Sequence, residues 1–340
     1  MRYFQIISII AVILIGGIAV LFFREAYIGK SGETVAFNIN EGDDAADIAL
    51  RLEQADIVSD GSRYLLYGNV DRSIFHAKTG AYHVKQHESF RKIARQFAIG
   101  PIRNEAVIRL IEGWTIDDII ELLARDHAID PVKSAEFAGR SLNEQSFSEV
   151  LREEYTFLRD LPRDRSLEGY LFPDTYHVWE DELPKGLMYK QLNEFNRQFG
   201  NVEISQKLSP LETLDDVIIL ASIVEREVPR TEDRKIIAGI FLNRLKLGMR
   251  LQSDATISYL TGSGRARSTD ADLAIDSQFN TYRYGGLPPS PIGNPSASAI
   301  QAVLFPEKTN YHYFLTTEEG EILYARTFEE HGQNRIRAGY

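Results

Sequence analysis

Cysteine is absent from the 340-residue chain. Its absence excludes disulfide frameworks, zinc-thiolate sites, iron–sulfur clusters and thiol nucleophiles. The compartment stays open on that ground, because exported proteins also do without disulfides. Positive charge is scarce as well: 38 Lys and Arg stand against 49 Asp and Glu, a net of −11. Phosphate recognition needs clustered Lys and Arg, so a nucleic-acid partner is excluded. Neither a Gly-x-Ser-x-Gly nucleophile elbow nor a phosphate-binding Gly-Lys loop occurs. Gly262-Ser263-Gly264-Arg265-Ala266-Arg267 begins like a dinucleotide fingerprint but lacks its third glycine and the preceding strand, and reads as a surface loop. His83 and His87 are four apart but have no partner carboxylate in a recognised motif, so no metal site is expected there.

What is present is an apolar content of 44% with 11% aromatics, the composition of a folded protein. The length points to more than one core. Tyr3 to Phe23 runs 21 positions without a charge. As a helix it would reach about 30 Å, one hydrocarbon thickness. A cleaved signal would have a shorter apolar stretch ending in small residues, and neither occurs before Arg24-Glu25. Residues 1–24 are therefore expected to be a single membrane anchor. Arg2 against Arg24 and Lys30 gives only a weak orientation bias.

After a linker at Gly29 to Glu33, Val35 to Ile39 alternates like a short strand. Glu41-Gly42-Asp43-Asp44-Ala45-Ala46-Asp47-Ile48 then recurs as Glu112-Gly113-Trp114-Thr115-Ile116-Asp117-Asp118-Ile119. A looser copy runs from Gln86 to Phe97. Each copy reads as a turn leading into a helix, with Thr115 and Asp118 forming a capping box and Asp44 and Asp47 imitating one. Strand-like residues precede the later copies, Tyr82-His83-Val84 and Val107 to Ile111. Such strand-turn-helix units resemble the LysM carbohydrate-binding module, and residues 31–145 are expected to form a LysM-like glycan-binding α+β region. The polar stretch Gly139 to Gln145 is the expected boundary, with a second α+β domain over 150–340.

In that second part, Thr213 and Asp216 form another capping box. The helix that follows is apolar almost all round from Val217 to Val224, as a buried helix is, and stops at Val228-Pro229. Its last turn nevertheless holds Glu225 and Glu227. Apolar surroundings and the negative end of a helix both raise a carboxyl pKa, which is what a general acid near neutral pH requires. Periodicity does not choose between the two, since Glu225 follows Ile218 and Ala221 on one flank and Glu227 follows Leu220 and Ile223 on the other; the competing reading is that one or both reach solvent at the helix end or pair with Arg226, Arg230 or Arg234. A further helix is expected from Arg234 to Leu247, stopping at Gly248, and a hairpin from Tyr311 to Ala325 turning near Gly320.

Five ordered blocks complete the pattern: Leu167-Glu168-Gly169-Tyr170-Leu171-Phe172-Pro173-Asp174-Thr175-Tyr176, Leu220 to Glu227, Phe241-Leu242-Asn243-Arg244-Leu245, Leu251-Gln252-Ser253-Asp254, and Asn280-Thr281-Tyr282 followed by Gly286-Leu287-Pro288-Pro289-Ser290-Pro291-Ile292-Gly293-Asn294-Pro295. Together they resemble the endolytic murein transglycosylases, the YceG-like family. The resemblance implies a bacterial inner-membrane enzyme, anchored by one helix, whose soluble part lies in the periplasm and cuts nascent peptidoglycan glycan strands, alongside peptidoglycan synthases. It places the catalytic glutamate on Glu225, acting as acid and then base to leave a 1,6-anhydro end, so no metal or cofactor is implied. By motif membership it gives Glu168, Tyr170, Asp174, Gln252, Ser253, Asp254, Asn280 and Tyr282 as substrate-binding positions. Packing roles compete for each of these, with Tyr170 as core, Asp174 as a turn residue and Gln252-Ser253-Asp254 as a cap. Two rival functions stay open: a muramidase using a second carboxylate such as Asp254, and a non-catalytic peptidoglycan-binding scaffold.

Overall fold

The computed structural model describes residues 16–17, 19–29, 32–101, 103–139, 149–228, 230–263, 268–317 and 320–339. Among them no helix is long and apolar enough to cross a membrane. The anchor expected over Tyr3–Phe23 falls mostly outside the described residues. The fold is α+β, with three two-stranded antiparallel sheets among the described residues. The chain divides into two compact units, Met1–Asn104 and Glu105–Tyr340.

In the first unit, β1 (Thr34–Ile39) pairs with β2 (Gly80–Lys85) with Phe37 opposite Tyr82. Period-2 alternation sends Phe37, Ile39, Tyr82 and Val84 inward. Between the strands lie α1 (Ala45–Gln54) and α2 (Gly61–Tyr67), and α3 (Phe90–Ile99) follows. Phe97 joins the layers, its ring 5.6 Å from Phe37 and 4.7 Å from Tyr82. The recurring motif has one shape. Gly42, Gly113 and, in the looser copy, His87 all take a left-handed backbone, at φ of 89°, 77° and 56°. The helices after the first two start with full capping boxes, whereas Ser89 before α3 makes no side-chain cap bond. His87 is thus the turn residue of a degenerate copy.

The second unit begins upstream of the boundary expected at 139–145, most of which lies outside the described residues. The reason is tertiary: β3 (Glu105–Arg109) pairs with β4 (Thr175–Trp179), Ile108 opposite Tyr176. α4 (Ile116–His127) also buries Ile116, Ile119 and Leu123 in the second unit's core. The strand-turn-helix copy at 105–127, grouped by pattern with the N-terminal region, therefore packs with the C-terminal one. Next come α5 (Pro131–Phe137), α6 (Glu149–Glu154) and α7 (Lys185–Phe199).

α8 (Leu214–Glu227) is the centre of this unit, with every residue from Val217 to Glu225 buried. Around it pack α9 (Thr231–Lys246), α10 (Asp254–Thr261) and α12 (Ala297–Leu304). A short α11 (Asp270–Leu273) precedes α12. The hairpin β5 (Tyr313–Thr316) and β6 (Ile322–Ala325) and α13 (Phe328–Arg337) complete the chain. Two of the five sequence blocks meet here. Gly169, at φ 91°, lies so close to Pro291 that a Cβ would come within 2.5 Å of its ring, so only glycine fits.

The Thr213 hydroxyl accepts the Asp216 N–H at 3.1 Å, and the Asp216 carboxylate accepts the Thr213 N–H at 2.9 Å. Thr213→Ala is expected to lower unfolding stability by about 1 kcal/mol, read from a denaturant midpoint. An unchanged midpoint would mean that burial alone sets where α8 starts.

Candidate active site

The two glutamates at the end of α8 have different fates. Glu225 is buried and ion-paired: Arg234 Nη2 on α9 lies 2.5 Å from Oε1, while Oε2 accepts the Ser296 N–H at 2.9 Å and the Ser296 hydroxyl. Ser296 is itself the N-cap of α12, and Arg234 also donates to the Val228 carbonyl at 3.2 Å. Glu225 is thus the joint at which α8, α9 and α12 meet.

Glu227, two residues on, points to the other side and keeps some accessible surface. Its carboxyl accepts from the Ser253 hydroxyl and from the Ala255 N–H at the start of α10. Among the described residues no Lys or Arg forms an ion pair with it. Burial, reinforced by the negative charge of Asp254 and only partly offset by those hydrogen bonds and by Arg244, pushes its pKa up to about 7. This is the environment of an acid that holds a proton near neutrality and can release it.

Gln252, Ser253, Asp254, Asn280 and Tyr282 gather beside Glu227. Gln252 takes a left-handed turn at φ 50°, and its N–H donates to the Thr281 carbonyl at 3.1 Å. The Ser253 N–H donates to the Thr281 hydroxyl at 3.0 Å. Asn280 is fully buried and fastens the turn from inside, donating to the carbonyls of Leu273 and Ile275 and accepting the Tyr282 N–H. One oxygen of Asp254 accepts from the Tyr282 phenol at 3.1 Å and from Ser268 at 2.6 Å. Burial and the charge of Asp254 push the Tyr282 phenol well above its ordinary range.

Three candidates lie elsewhere. Glu168 accepts the Ile116 N–H at 3.1 Å at the N-terminus of α4, and the Asn294 side chain at 3.2 Å. Tyr170 packs against Phe157 and Phe195 and donates to Asp215 at 2.7 Å. That places it at the first turn of α8, about 18 Å along the axis from Glu227. Asp174 is exposed and accepts the N–H of its own neighbour Thr175. Sequence reasoning gave no role to Thr281, Arg244, Asn294, Ser296 or Ser268, whereas Arg234 was among the pairing partners weighed for the two glutamates. The first three sit inside the quoted blocks, so a signal existed. Ser268 had none. Among the described residues no group of three or more His, Asp or Glu could hold a metal ion.

Residues 37–337 match the YceG-like family. The chain is 30% identical over 323 residues to an endolytic murein transglycosylase of Streptococcus pneumoniae, an alignment covering 90% of this chain and 58% of that protein. It is 31% identical over 314 residues to the endolytic murein transglycosylase of Bacillus subtilis, covering 89% and 84% respectively. The chain therefore spans less than two thirds of the pneumococcal relative. A crystal structure of a yceG-like protein from Listeria monocytogenes superposes with a TM-score of 0.57 at 27% identity, covering 89% of this chain and all of that one.

The raised pKa of Glu227 links pH to stability. Folding favours the protonated form, so this stabilisation is complete below the unfolded value of about 4.5 and is lost as pH rises to about 7. The stability of Glu227→Gln relative to wild type should therefore climb between those values and level off above, as read by denaturant unfolding across pH. A difference independent of pH would mean that Glu227 ionises like an ordinary carboxyl.

Proposed function

The chain belongs to the YceG-like family, and from that membership we propose that it is an endolytic peptidoglycan lytic transglycosylase with Glu227 as its acid and base. The observation that carries the assignment of the residue is the contrast within one helical turn. Glu225 is committed to Arg234 and Ser296, whereas Glu227 has no ion-pair partner among the described residues, is raised to about 7 and sits among five motif residues.

The chemistry follows from one carboxyl. Neutral Glu227 donates its proton to the glycosidic oxygen between N-acetylmuramic acid and N-acetylglucosamine, and the C1–O bond breaks as positive charge develops on the muramyl ring. The carboxylate so formed takes the proton of the muramic acid 6-hydroxyl, whose oxygen bonds to C1 and closes the 1,6-anhydro ring. The proton lost in the first half is regained in the second, so no water is consumed. Inverting and retaining glycosidases divide these duties between two carboxyls. Asp254, held by Tyr282 and Ser268, serves as a fixed negative charge facing the developing oxocarbenium. Gln252 and the Tyr282 ring supply hydrogen bonds and a stacking face for the sugars.

In this reading the apolar run Tyr3–Phe23 anchors the enzyme to the inner membrane with its soluble part on the peptidoglycan side, beside the synthases that make its substrate. The strand-helix-helix-strand order of the first unit supports a LysM-like contact with glycan.

The test is the full chain, as wild type, Glu227→Gln and Glu225→Gln, incubated with uncrosslinked glycan strands and the products weighed by mass spectrometry. Wild type should yield ends lighter by one water than hydrolysis would leave. Glu227→Gln should lose activity by about 10²-fold or more, and folded Glu225→Gln should retain anhydro product. Full activity in Glu227→Gln would sink the assignment. Reducing ends from wild type would favour the muramidase, and binding without cleavage the scaffold.

A further inference from the structure

Arg244 stands out among the residues the sequence left without a role. Its side chain is only 6% exposed, yet among the described residues it forms no ion pair. Nε donates to the His312 carbonyl at 2.6 Å and Nη1 to the Leu251 carbonyl. The guanidinium carbon lies 5.3 Å from the centre of the Tyr313 ring, whose far neighbour is His331, with ring centres 5.3 Å apart. A buried guanidinium bonded only to neutral carbonyls keeps its full charge where water screens it poorly.

We propose that Arg244 is the positioning residue of the site, fixing the Leu251–Ala255 segment that holds the Glu227 carboxyl and setting an uncompensated positive charge within range of it. The first part follows from connectivity. Arg244 holds Leu251; two residues on, Ser253 donates to Glu227, and Ala255 donates to it from the next turn. The second follows from charge. Glu227 lies in the fields of Asp254 on α10, which favours its proton, and of Arg244 on α9, which opposes it. The other titratable groups facing this region are Tyr282 before α12, Tyr313 on β5, and His331 and Arg335 on α13. His331 is half-buried and lies near two arginines, which hold it below its ordinary value and neutral near pH 7. The charges acting on Glu227 are thus those of Asp254 and Arg244. A carboxyl that must give up its proton and recover one within a turnover needs such opposed neighbours, because either alone would fix it in one state.

This inference rests on Glu227 being the acid, and the experiment separates the two. In the full chain labelled with carbon-13 at glutamate carboxyls, Glu227 is assigned by its loss in Glu227→Gln and titrated in wild type, Arg244→Lys and Arg244→Gln. Wild type should titrate near 7. Arg244→Gln should titrate higher, with an acid dissociation constant lowered roughly tenfold, and the alkaline limb of kcat/KM should move the same way. Arg244→Lys should keep the wild-type midpoint while kcat falls, because lysine retains the charge and loses the fork. A wild-type midpoint in the ordinary carboxyl range would overturn the catalytic reading. With wild type raised, an unmoved midpoint in folded Arg244→Gln, or an Arg244→Lys midpoint raised by the full tenfold, overturns the role given to Arg244.

Discussion

Two carboxylates two residues apart on one helix are separated by about 200° of rotation, and the second unit is arranged around that fact. They cannot share a partner. One must face α9 and α12, the other α10 and the Asn280–Tyr282 turn. The side that received Arg234 and Ser296 became a buried, fully bonded joint. The side that received Ser253, Asp254 and, at longer range, Arg244 was left with hydrogen bonds and opposed fields but, among the described residues, no ion pair. Removing one partner of a buried pair strands the other charge at a cost of about 3–5 kcal/mol, so the first side is held rigidly. Rigidity there fixes the backbone from which the second carboxyl projects.

The same division explains ties that join distant parts of the unit. Asn294 accepts the N–H groups of Gly169 and Leu171 and donates to Glu168 and to the Trp114 carbonyl. Its own backbone exchanges hydrogen bonds with Gly113 and Trp114. The Ile292 N–H donates to Ser222 and the Ile292 carbonyl accepts from Arg226, both on α8. The Gly286–Pro295 segment is therefore strapped along α8 and to the α4 turn at once. Glu168 closes that network by accepting the buried Ile116 N–H at the start of α4, where helix ends leave N–H groups in need of acceptors. These residues shape the last turn of α8 from behind, without lying beside the Glu227 carboxyl.

Local features were legible because their causes are local. The capping box at Thr213, the turn glycines at 42 and 113, the buried run of α8 and the hairpin near Gly320 all follow from neighbours within a few positions. The partners that tell Glu225 from Glu227 come from 9, 26 and 71 residues away, and no helical periodicity carries that information. Motif membership is limited in the same way, because a block is kept together by packing as readily as by chemistry. Glu168, Tyr170 and Asp174 belong to a block whose work is to bind α4, the start of α8 and β4, whereas the blocks at 251–254 and 280–282 do converge on a carboxyl. The segment 105–127 shows the equivalent limit for domains: its strand-turn-helix pattern repeats that of the first unit, but its ladder partner β4 is 66 to 74 residues downstream.

The contrast between the two glutamates also bears on why the sequence places them so close. A carboxylate in a salt bridge is stabilised in its charged form and makes a poor proton donor, while one buried without a partner is stabilised as the neutral acid but tends to loosen the structure around it. A single residue cannot both anchor the helix end and cycle through two protonation states. Placing Glu225 two residues ahead of Glu227 lets the ion pair hold the backbone still while Glu227, in the proposed role, remains free to change charge, and the C-terminal turn of α8 serves both.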